Sequence, residues 1–200
     1  MNIGKRVLGQ RLGIMGYLFA LREIQKSPLS NYELASVMSL CRKNAGLLAR
    51  RLRSVGLIHI GGWADGSIPQ SAKVPIYHYG PGEDMPYPTG RVIASKANNS
   101  INSSAIAASV FLKILEHPIS KADIAELTGF NHRQSLRVVN YAHEIGLVRI
   151  ADWMPSFGPG VPTAMYALGD KPDASRPKKM GRQRRQKIQR VRSVFELRAS

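Results

Sequence analysis

The stretch PLSNYELASVMSLCRKNAGLLARRLRSVGLIHIGGW, residues 28–63, recurs as PISKADIAELTGFNHRQSLRVVNYAHEIGLVRIADW, residues 118–153. Adding 90 to each position aligns the two copies without a gap. Self-similarity at a fixed offset is typical of a duplicated structural unit. We therefore expect the 200 residues to form two small domains rather than one large domain.

Both copies carry the same signal for the start of a helix. Ser30 is followed three positions later by Glu33, and Ser120 is followed in the same way by Asp123. This spacing predicts a capping box, in which the hydroxyl and the carboxylate each accept a hydrogen bond from an amide at the helix start. The prediction covers the second copy too, although aspartate replaces the usual glutamate there.

Apolar spacing predicts three helices and two strands in each copy. In the first copy the helices cover 12–26, 31–38 and 42–54, and the strands cover 57–63 and 74–80. In the second copy they fall within 106–120, 121–130 and 132–146, followed by strands at 148–153 and 164–169. Gly56 and Gly146 follow the third helices, where a residue in the left-handed region ends a helix at no steric cost.

The repeat continues beyond the second strand. A tyrosine, a glycine and a proline return at an offset of 89, as Tyr77, Gly80 and Pro88 and then Tyr166, Gly169 and Pro177. One residue is therefore missing from the second strand–loop–strand segment.

Positive charge is unevenly distributed along the chain. The formal net charge is +16, and residues 174–200 alone contribute +9. Residues 28–63 carry +4, whereas the matching residues 118–153 are neutral overall. The basic balance favours binding of a polyanion by the tail and by the first copy, and leaves a different role open for the second.

The remaining composition favours a cytoplasmic protein. We find no apolar run long enough to cross a bilayer and no signal peptide at the start of the sequence, so we expect no membrane partner. The single cysteine, Cys41, cannot form an internal disulfide, which fits a reducing compartment.

Two short motifs carry a resemblance to a known family. They are the Ser-x-x-acid-apolar-Ala start of the second helix, at 30–35 and 120–125, and the Gly-Leu-apolar exit of the third, at 56–58 and 146–148. On these residues the chain resembles two winged helix-turn-helix domains in tandem. Such units are similar to those of bacterial and phage transcription regulators of the MarR, ArsR and GntR kind.

The resemblance implies a fold class that is mainly α with small β wings, α+β. The two tandem winged helix-turn-helix domains are expected at 1–88 and 103–172, joined by a linker at 89–102. A basic, arginine-rich tail at 173–200 is expected to be disordered or to become helical on binding.

The resemblance also implies that the first turns of each third helix enter the major groove of DNA. In the first domain it places at base edges Arg42, Lys43, Asn44 and Leu47, and at phosphates Arg50 and Arg51. In the second domain the matching positions hold His132, Arg133, Gln134 and Arg137, followed by Asn140 and Tyr141. Arginine and lysine suit guanine acceptors, and asparagine and glutamine suit adenine.

Two further segments are candidates for contacts with the sugar–phosphate backbone of DNA. Lys73, near the end of the first wing loop, is expected at a phosphate or in the minor groove. The tail contributes sequence-independent cations, among them Arg182, Arg184 and Arg185, whose contribution to binding falls steeply with salt. A solubilising tail and an RNA-binding tail remain as alternatives.

Signals for catalysis are weak, and we expect neither an enzyme nor a cofactor. The five histidines show no zinc spacing, Cys41 has no cysteine partner, and no glycine-rich phosphate loop is present. The acids in 83–84 and Asp170 lie among prolines and glycines, which favours exposed turns over a metal site. Trp63 and Trp153 are expected to pack rather than to stack on bases.

The resemblance, together with the basic charge, implies a protein that binds duplex DNA in a sequence-specific manner. We expect it to be a transcriptional regulator of a bacterium, phage or mobile element and to be associated with the nucleoid. It would act as a monomer with pseudo-two-fold repeats or as a homodimer. One alternative is a nucleoid, partition or replication-initiation protein without promoter specificity. The other is an adaptor whose second domain contacts RNA polymerase or another protein.

Overall fold

The described chain contains the same order of elements twice. The computed structural model describes residues 13–66, 72–88, 103–155 and 161–177. The first repeat comprises α1 (Ile14–Lys26), β1 (Leu29–Ser30), α2 (Asn31–Val37), α3 (Arg42–Ser54), β2 (Ile58–Ala64) and β3 (Val74–Tyr79). The second comprises α4 (Ser103–Ile114), β4 (Ile119–Ser120), α5 (Lys121–Thr128), α6 (His132–Glu144), β5 (Val148–Met154) and β6 (Thr163–Leu168). The predicted α+β class is confirmed.

Each repeat builds one small antiparallel sheet of three strands. The strand orders are β1-β3-β2 and β4-β6-β5. Sequence analysis missed β1 and β4, because a two-residue strand directly before a helix shows no alternation of apolar and polar residues. No helix in the described ranges combines the length and apolarity that crossing a bilayer requires.

The capping box forms fully in the first repeat only. The Ser30 hydroxyl accepts a hydrogen bond from the Glu33 amide at 3.3 Å, and Glu33 accepts one from the Ser30 amide at 2.7 Å. This second bond is the chief reason that the pKa of Glu33 lies below its ordinary value. In the second repeat the Ser120 hydroxyl accepts from the Asp123 amide and donates to its carboxylate, at 3.3 and 2.7 Å. The prediction of a reciprocal bond in the second repeat was therefore wrong. Aspartate is one methylene shorter than glutamate, and its carboxylate bonds to the Ser120 hydroxyl instead of the Ser120 amide.

The third helices begin differently in the two repeats but end in the same way. Asn131 caps α6 by accepting from the Gln134 amide at 2.8 Å, whereas Cys41, at the matching position before α3, makes no side-chain cap. Both helices are followed by a glycine in the left-handed region, Gly56 and Gly146, each with φ of +72°. The predicted helix ends are confirmed.

One apolar core runs through both repeats, and α1 lies at its centre. α1 packs against β3 of its own repeat and against α4 and α6 of the other. The buried side chains of the two repeats form a single continuous cluster. Arg22 of α1 adds a polar contact, because its Nε donates to the Ile145 carbonyl at the end of α6 at 3.1 Å. The two repeats are therefore packed together as one body.

A β-bulge interrupts β2 at Gly61, since Ile60 pairs with Tyr77 and Gly62 already pairs with Ile76. The His78 ring lies against Gly61, so a Cβ added there would be 2.3 Å from Cδ2 of the ring. The second repeat has its bulge at the matching position, Ala151. It can hold an alanine there because Ala167 takes the place of the histidine. The larger residue at the bulge of the second repeat is thus matched by a smaller residue on the facing strand.

We predict that Gly61→Ala lowers the free energy of unfolding by about 1–3 kcal/mol, the usual cost of overpacking. In a His78→Ala background the same change is expected to cost less than about 0.5 kcal/mol. Gly62→Ala is the matched control, because its Cβ would be at ordinary contact distance, 3.7 Å from Ile76. Denaturant unfolding of the four variants measures these values. An equal cost of Gly61→Ala in both backgrounds would contradict the steric explanation.

Candidate nucleic-acid interface

The face of α3 that packs against the core is the one on which apolar residues recur at helical spacing. Ala45, Leu48, Ala49 and Leu52 are buried, at exposures of 0 to 1%. Packing therefore leaves the opposite face of the helix free. The residues exposed between the start and the middle of α3 are Arg42, Lys43, Asn44, Leu47 and Arg50, and we call this set the free face of α3. Three cations, one amide and one apolar side chain are brought together on the first turns and the middle of α3.

The three exposed cations differ in how firmly they are held. Arg42 lies over the Tyr32 ring of α2, with its guanidinium carbon 4.1 Å from the ring centroid. Arg50 donates from Nε to the Gly46 carbonyl in its own helix at 3.2 Å. Lys43 makes no ion pair or hydrogen bond with any described residue. None of the three charges is neutralised by an acid in the described structure, so all remain available to an anion.

Arg51 does not belong to this free face, although we expected it there. Its side chain is half-buried, and Nη1 donates to the Tyr17 hydroxyl of α1 at 3.3 Å. Its Nε is buried without a hydrogen-bond partner among the described residues. Position 51 lies at the edge of the exposed face of α3. Whether its side chain reaches solvent or is partly buried therefore depends on where α1 lies. Arg51 is thus directed toward α1.

Lys73 lies directly before β3, and its charge is paired. Its Nζ contacts the Asp65 carboxylate, and its backbone amide donates to the Tyr87 hydroxyl at 3.0 Å. Asp65 itself is highly exposed, so an approaching phosphate competes with this pair in water. The predicted tail contacts Arg182, Arg184 and Arg185 lie outside the described residues.

The matching face of α6 is exposed but carries fewer free cations. Its exposed predicted residues are His132, Arg133, Gln134 and Arg137. Asn140, which follows them, accepts a hydrogen bond from Lys121 Nζ at 2.7 Å. Tyr141 is half-buried, and burial is the main reason that its pKa is raised. Arg133 and Arg137 are therefore the permanent charges that this helix presents.

Two aspartates, one after each sheet, accept hydrogen bonds from a strand of that sheet. The sequence analysis assigned Asp84 to an exposed turn and gave no role to Asp173. Asp84 accepts from the Ile60 amide at 2.7 Å, next to the bulge in β2, and its second oxygen lies 3.5 Å from Arg53 Nε. Asp173 makes the same bond to the Ile150 amide at 2.7 Å, and the imidazole of His143 takes the place of the guanidinium, 2.8 Å from Oδ2. Asp84 and Asp173 are separated by 89 positions, as are the repeated tyrosines and glycines. That offset was the sequence signal that could have identified the two aspartates as corresponding residues.

The tryptophans fix the same two segments. Trp63 Nε1 donates to the Met85 carbonyl at 3.0 Å, and Trp153 Nε1 donates to the Ala174 carbonyl at 2.8 Å. Trp63 also meets the Tyr87 ring edge-to-face, with the ring centroids 4.8 Å apart. Both indoles contact their own repeat, as the sequence predicts.

The Asp173 contacts give stability a defined pH dependence. Donation from the Ile150 amide, and then the bond and charge of His143, hold the pKa of Asp173 below its ordinary value. Because the pKa is lower in the folded chain, this stabilisation is complete above the unfolded pKa, about 3.9. It is lost as pH falls through the lower folded pKa.

We therefore predict that the free energy of unfolding decreases less between about pH 5 and pH 2 in Asp173→Asn than in the wild type. Carboxyl NMR titration of the wild type should show Asp173 titrating below ordinary aspartates. Asp170→Asn, in the same exposed segment, is the control. Equal pH slopes for all three proteins would contradict the prediction.

No three His, Cys, Asp or Glu side chains of the described ranges come close enough together to hold a metal ion. Comparisons with protein-family models, with curated proteins and with solved structures each find no match for this chain.

Proposed function

We propose that this chain is a non-enzymatic DNA-binding protein whose two repeats are winged helix-turn-helix units. In each unit the hairpin formed by β2 and β3, or by β5 and β6, would be the wing. The helix that precedes the hairpin would enter the major groove. An α-helix has the width that the major groove admits, so an exposed helix start can present side chains to base edges.

The observation that carries the proposal is the free face of α3. It presents three cations that no described acid neutralises, together with Asn44 and the 36% exposed Leu47. Cations provide affinity for phosphates and for guanine, amides suit adenine, and an apolar side chain suits the thymine methyl group. A surface serving only solubility has no need of the amide and the leucine between its cations.

The first repeat would supply most of the DNA contacts. On α6 the matching face holds two permanent cations, and Asn140 is occupied by Lys121. The second repeat would therefore make a weaker contact with neighbouring DNA. Because both repeats share one core, a single copy of the chain would present both helices at a fixed separation. We propose transcriptional regulation as the biological role.

A second candidate function is protein contact by the second repeat, for instance with RNA polymerase. It is favoured by the neutral charge balance of residues 118–153, a segment that also exposes Leu127 at 61%. This candidate predicts that neutral replacements of the α3 cations leave biological activity intact, whereas the DNA-binding proposal predicts its loss.

Selection from a random duplex DNA pool tests the proposal. The full chain is incubated with the pool at about 0.15 M salt, with heparin as competitor, and the bound duplexes are sequenced. We expect one short motif to be enriched and to resist heparin. Recovery of a broad set of unrelated duplexes would favour a coating protein. Loss of all bound DNA to heparin would overturn the proposal.

A further inference from the structure

The contact between Tyr32 and Arg42 joins the two helices at the start of the proposed recognition surface. Tyr32 is the second residue of α2, and Arg42 is the first residue of α3. The guanidinium carbon lies 4.1 Å from the ring centroid, well within the range of a cation–π interaction. The tyrosine is half-buried and the arginine is exposed. The ring therefore provides a fixed support for a side chain that is otherwise free in solvent.

This support leaves the hydrogen-bond donors of Arg42 unused. A cation–π contact uses the charge of the guanidinium and engages none of its N–H groups in a hydrogen bond to a carbonyl or carboxylate oxygen, so these groups remain free to donate. No described residue accepts a hydrogen bond from the Arg42 guanidinium. A held, planar pair of donors at the first residue of α3 matches an acceptor that takes two parallel hydrogen bonds.

The second repeat lacks the arrangement. At the positions that match Tyr32 and Arg42 it holds Ala122 and His132. Alanine has no ring to support a side chain, and histidine cannot donate two parallel hydrogen bonds. The pair is thus a specific feature of the first repeat and is not required to build the helix-turn-helix part of the fold.

We propose that Tyr32 is a positioning residue that holds Arg42 for bidentate donation to guanine, through the O6 and N7 acceptors in the major groove. The inference rests on the proposed DNA binding by α3. Guanine is favoured over a phosphate because Arg42 lies in the first turn beside Asn44, the part of the helix proposed to enter the groove. Support from the ring reduces the side-chain freedom that Arg42 loses on binding, so Tyr32 contributes to selectivity without touching DNA.

The first test is made on the free protein by NMR. Ring currents of Tyr32 should shift the δ-methylene protons of Arg42 upfield. The shift should persist in Tyr32→Phe, which keeps the aromatic face, and disappear in Tyr32→Leu, which keeps apolar bulk alone. Tyr32→Met provides a second non-aromatic variant should the leucine variant fail to fold. An Arg42 spectrum that is the same in wild type and in the non-aromatic variants would overturn the inference.

The second test uses the duplex that the wild type selects from the random pool. Each guanine is replaced in turn by 7-deazaguanine, which lacks the N7 acceptor, and the dissociation constant is measured. One replacement is expected to weaken wild-type and Tyr32→Phe binding about 10-fold. In Tyr32→Leu the same replacement is expected to weaken binding less than about 3-fold. Arg42→Lys should behave like Tyr32→Leu, because an ammonium group cannot form the planar pair of bonds.

The outcomes separate this inference from the proposed function. If the wild type selects a duplex but Tyr32→Leu keeps the full penalty for 7-deazaguanine, Tyr32 does not position Arg42 and only this inference fails. A wild type indifferent to every 7-deazaguanine, but weakened on all duplexes by Arg42→Ala, would assign Arg42 to a phosphate and overturn the inference. If the wild type selects no duplex, the proposed function fails as well.

Discussion

Replacing Lys43 and Arg50 together by glutamate is expected to weaken binding of the selected duplex about 100-fold. Both side chains are exposed on the free face of α3, and neither is neutralised by a described acid. A hydrogen bond to a charged group contributes about 1.5–3 kcal/mol, so two lost contacts amount to about 3 kcal/mol or more. Their replacement by anions adds repulsion from the phosphates. Fluorescence anisotropy at constant salt measures the change.

The matched control is the double reversal Arg133→Glu and Arg137→Glu on α6. It changes the net charge of the chain by the same amount and also replaces exposed side chains. We expect it to weaken binding less than about 10-fold, because α6 is proposed to make the weaker contact. Similar losses in the two double variants would show that net charge alone determines affinity. That result would contradict a specific role for α3.

Salt dependence provides a second measure from the same variants. The logarithm of the binding constant falls with the logarithm of salt concentration by about 0.9 for each neutralised phosphate. If Lys43 and Arg50 both contact phosphates, their removal reduces that slope by about 2. Arg42→Lys keeps the charge and should leave the slope nearly unchanged while altering the preference for guanine.

The parts of the interface that sequence alone predicts are those set by local periodicity. The bounds of α3, Arg42–Ser54, and its buried stripe follow from apolar spacing within one helix. Lys43 and Asn44 are exposed because that stripe faces inward, whereas Arg42 is exposed as the first residue of the helix. Local chemistry also explains the caps, with the exception of Asp123, whose side chain is too short for the reciprocal bond. Such features depend on neighbours only a few residues away.

The features that sequence reasoning missed depend on distant parts of the chain. Arg51 is directed toward α1 because Tyr17, 34 positions earlier, lies beside it. Asp84 bonds to an amide 24 positions earlier, and Arg22 bonds to a carbonyl 123 positions later. A repeat offset can indicate that such residues correspond between copies, as it does for Asp84 and Asp173. It cannot indicate what they contact.

Arg22 also bears on how the two repeats should be described. Sequence similarity divides the chain into two units, whereas packing joins them through α1. A helix that is buried against both units cannot leave either without exposing apolar surface. We therefore expect the two repeats to unfold together, although the repeated sequence predicts two domains.

Leu21→Ala in α1 is expected to lower the free energy of unfolding by about 2–5 kcal/mol, since it removes a large side chain that is fully buried. The matching residue of α4, Phe111, is also fully buried, and Phe111→Ala is expected to cost about 3–5 kcal/mol. If α1 joins the repeats into one cooperative unit, each substitution destabilises both repeats. If the repeats are independent, each destabilises only its own.

The two tryptophans of the chain, Trp63 and Trp153, distinguish these results because each repeat contains one of them. Denaturant unfolding is followed by tryptophan fluorescence in Trp63→Phe and in Trp153→Phe, with and without each core substitution. We expect Leu21→Ala to move the midpoint of both single-tryptophan proteins to lower denaturant by similar amounts, and Phe111→Ala to do the same. A midpoint shift confined to the substituted repeat would show that the interface around α1 is too weak to couple them. The relative placement of α3 and α6 would then vary, and one copy of the chain could no longer present both helices to DNA at a fixed separation.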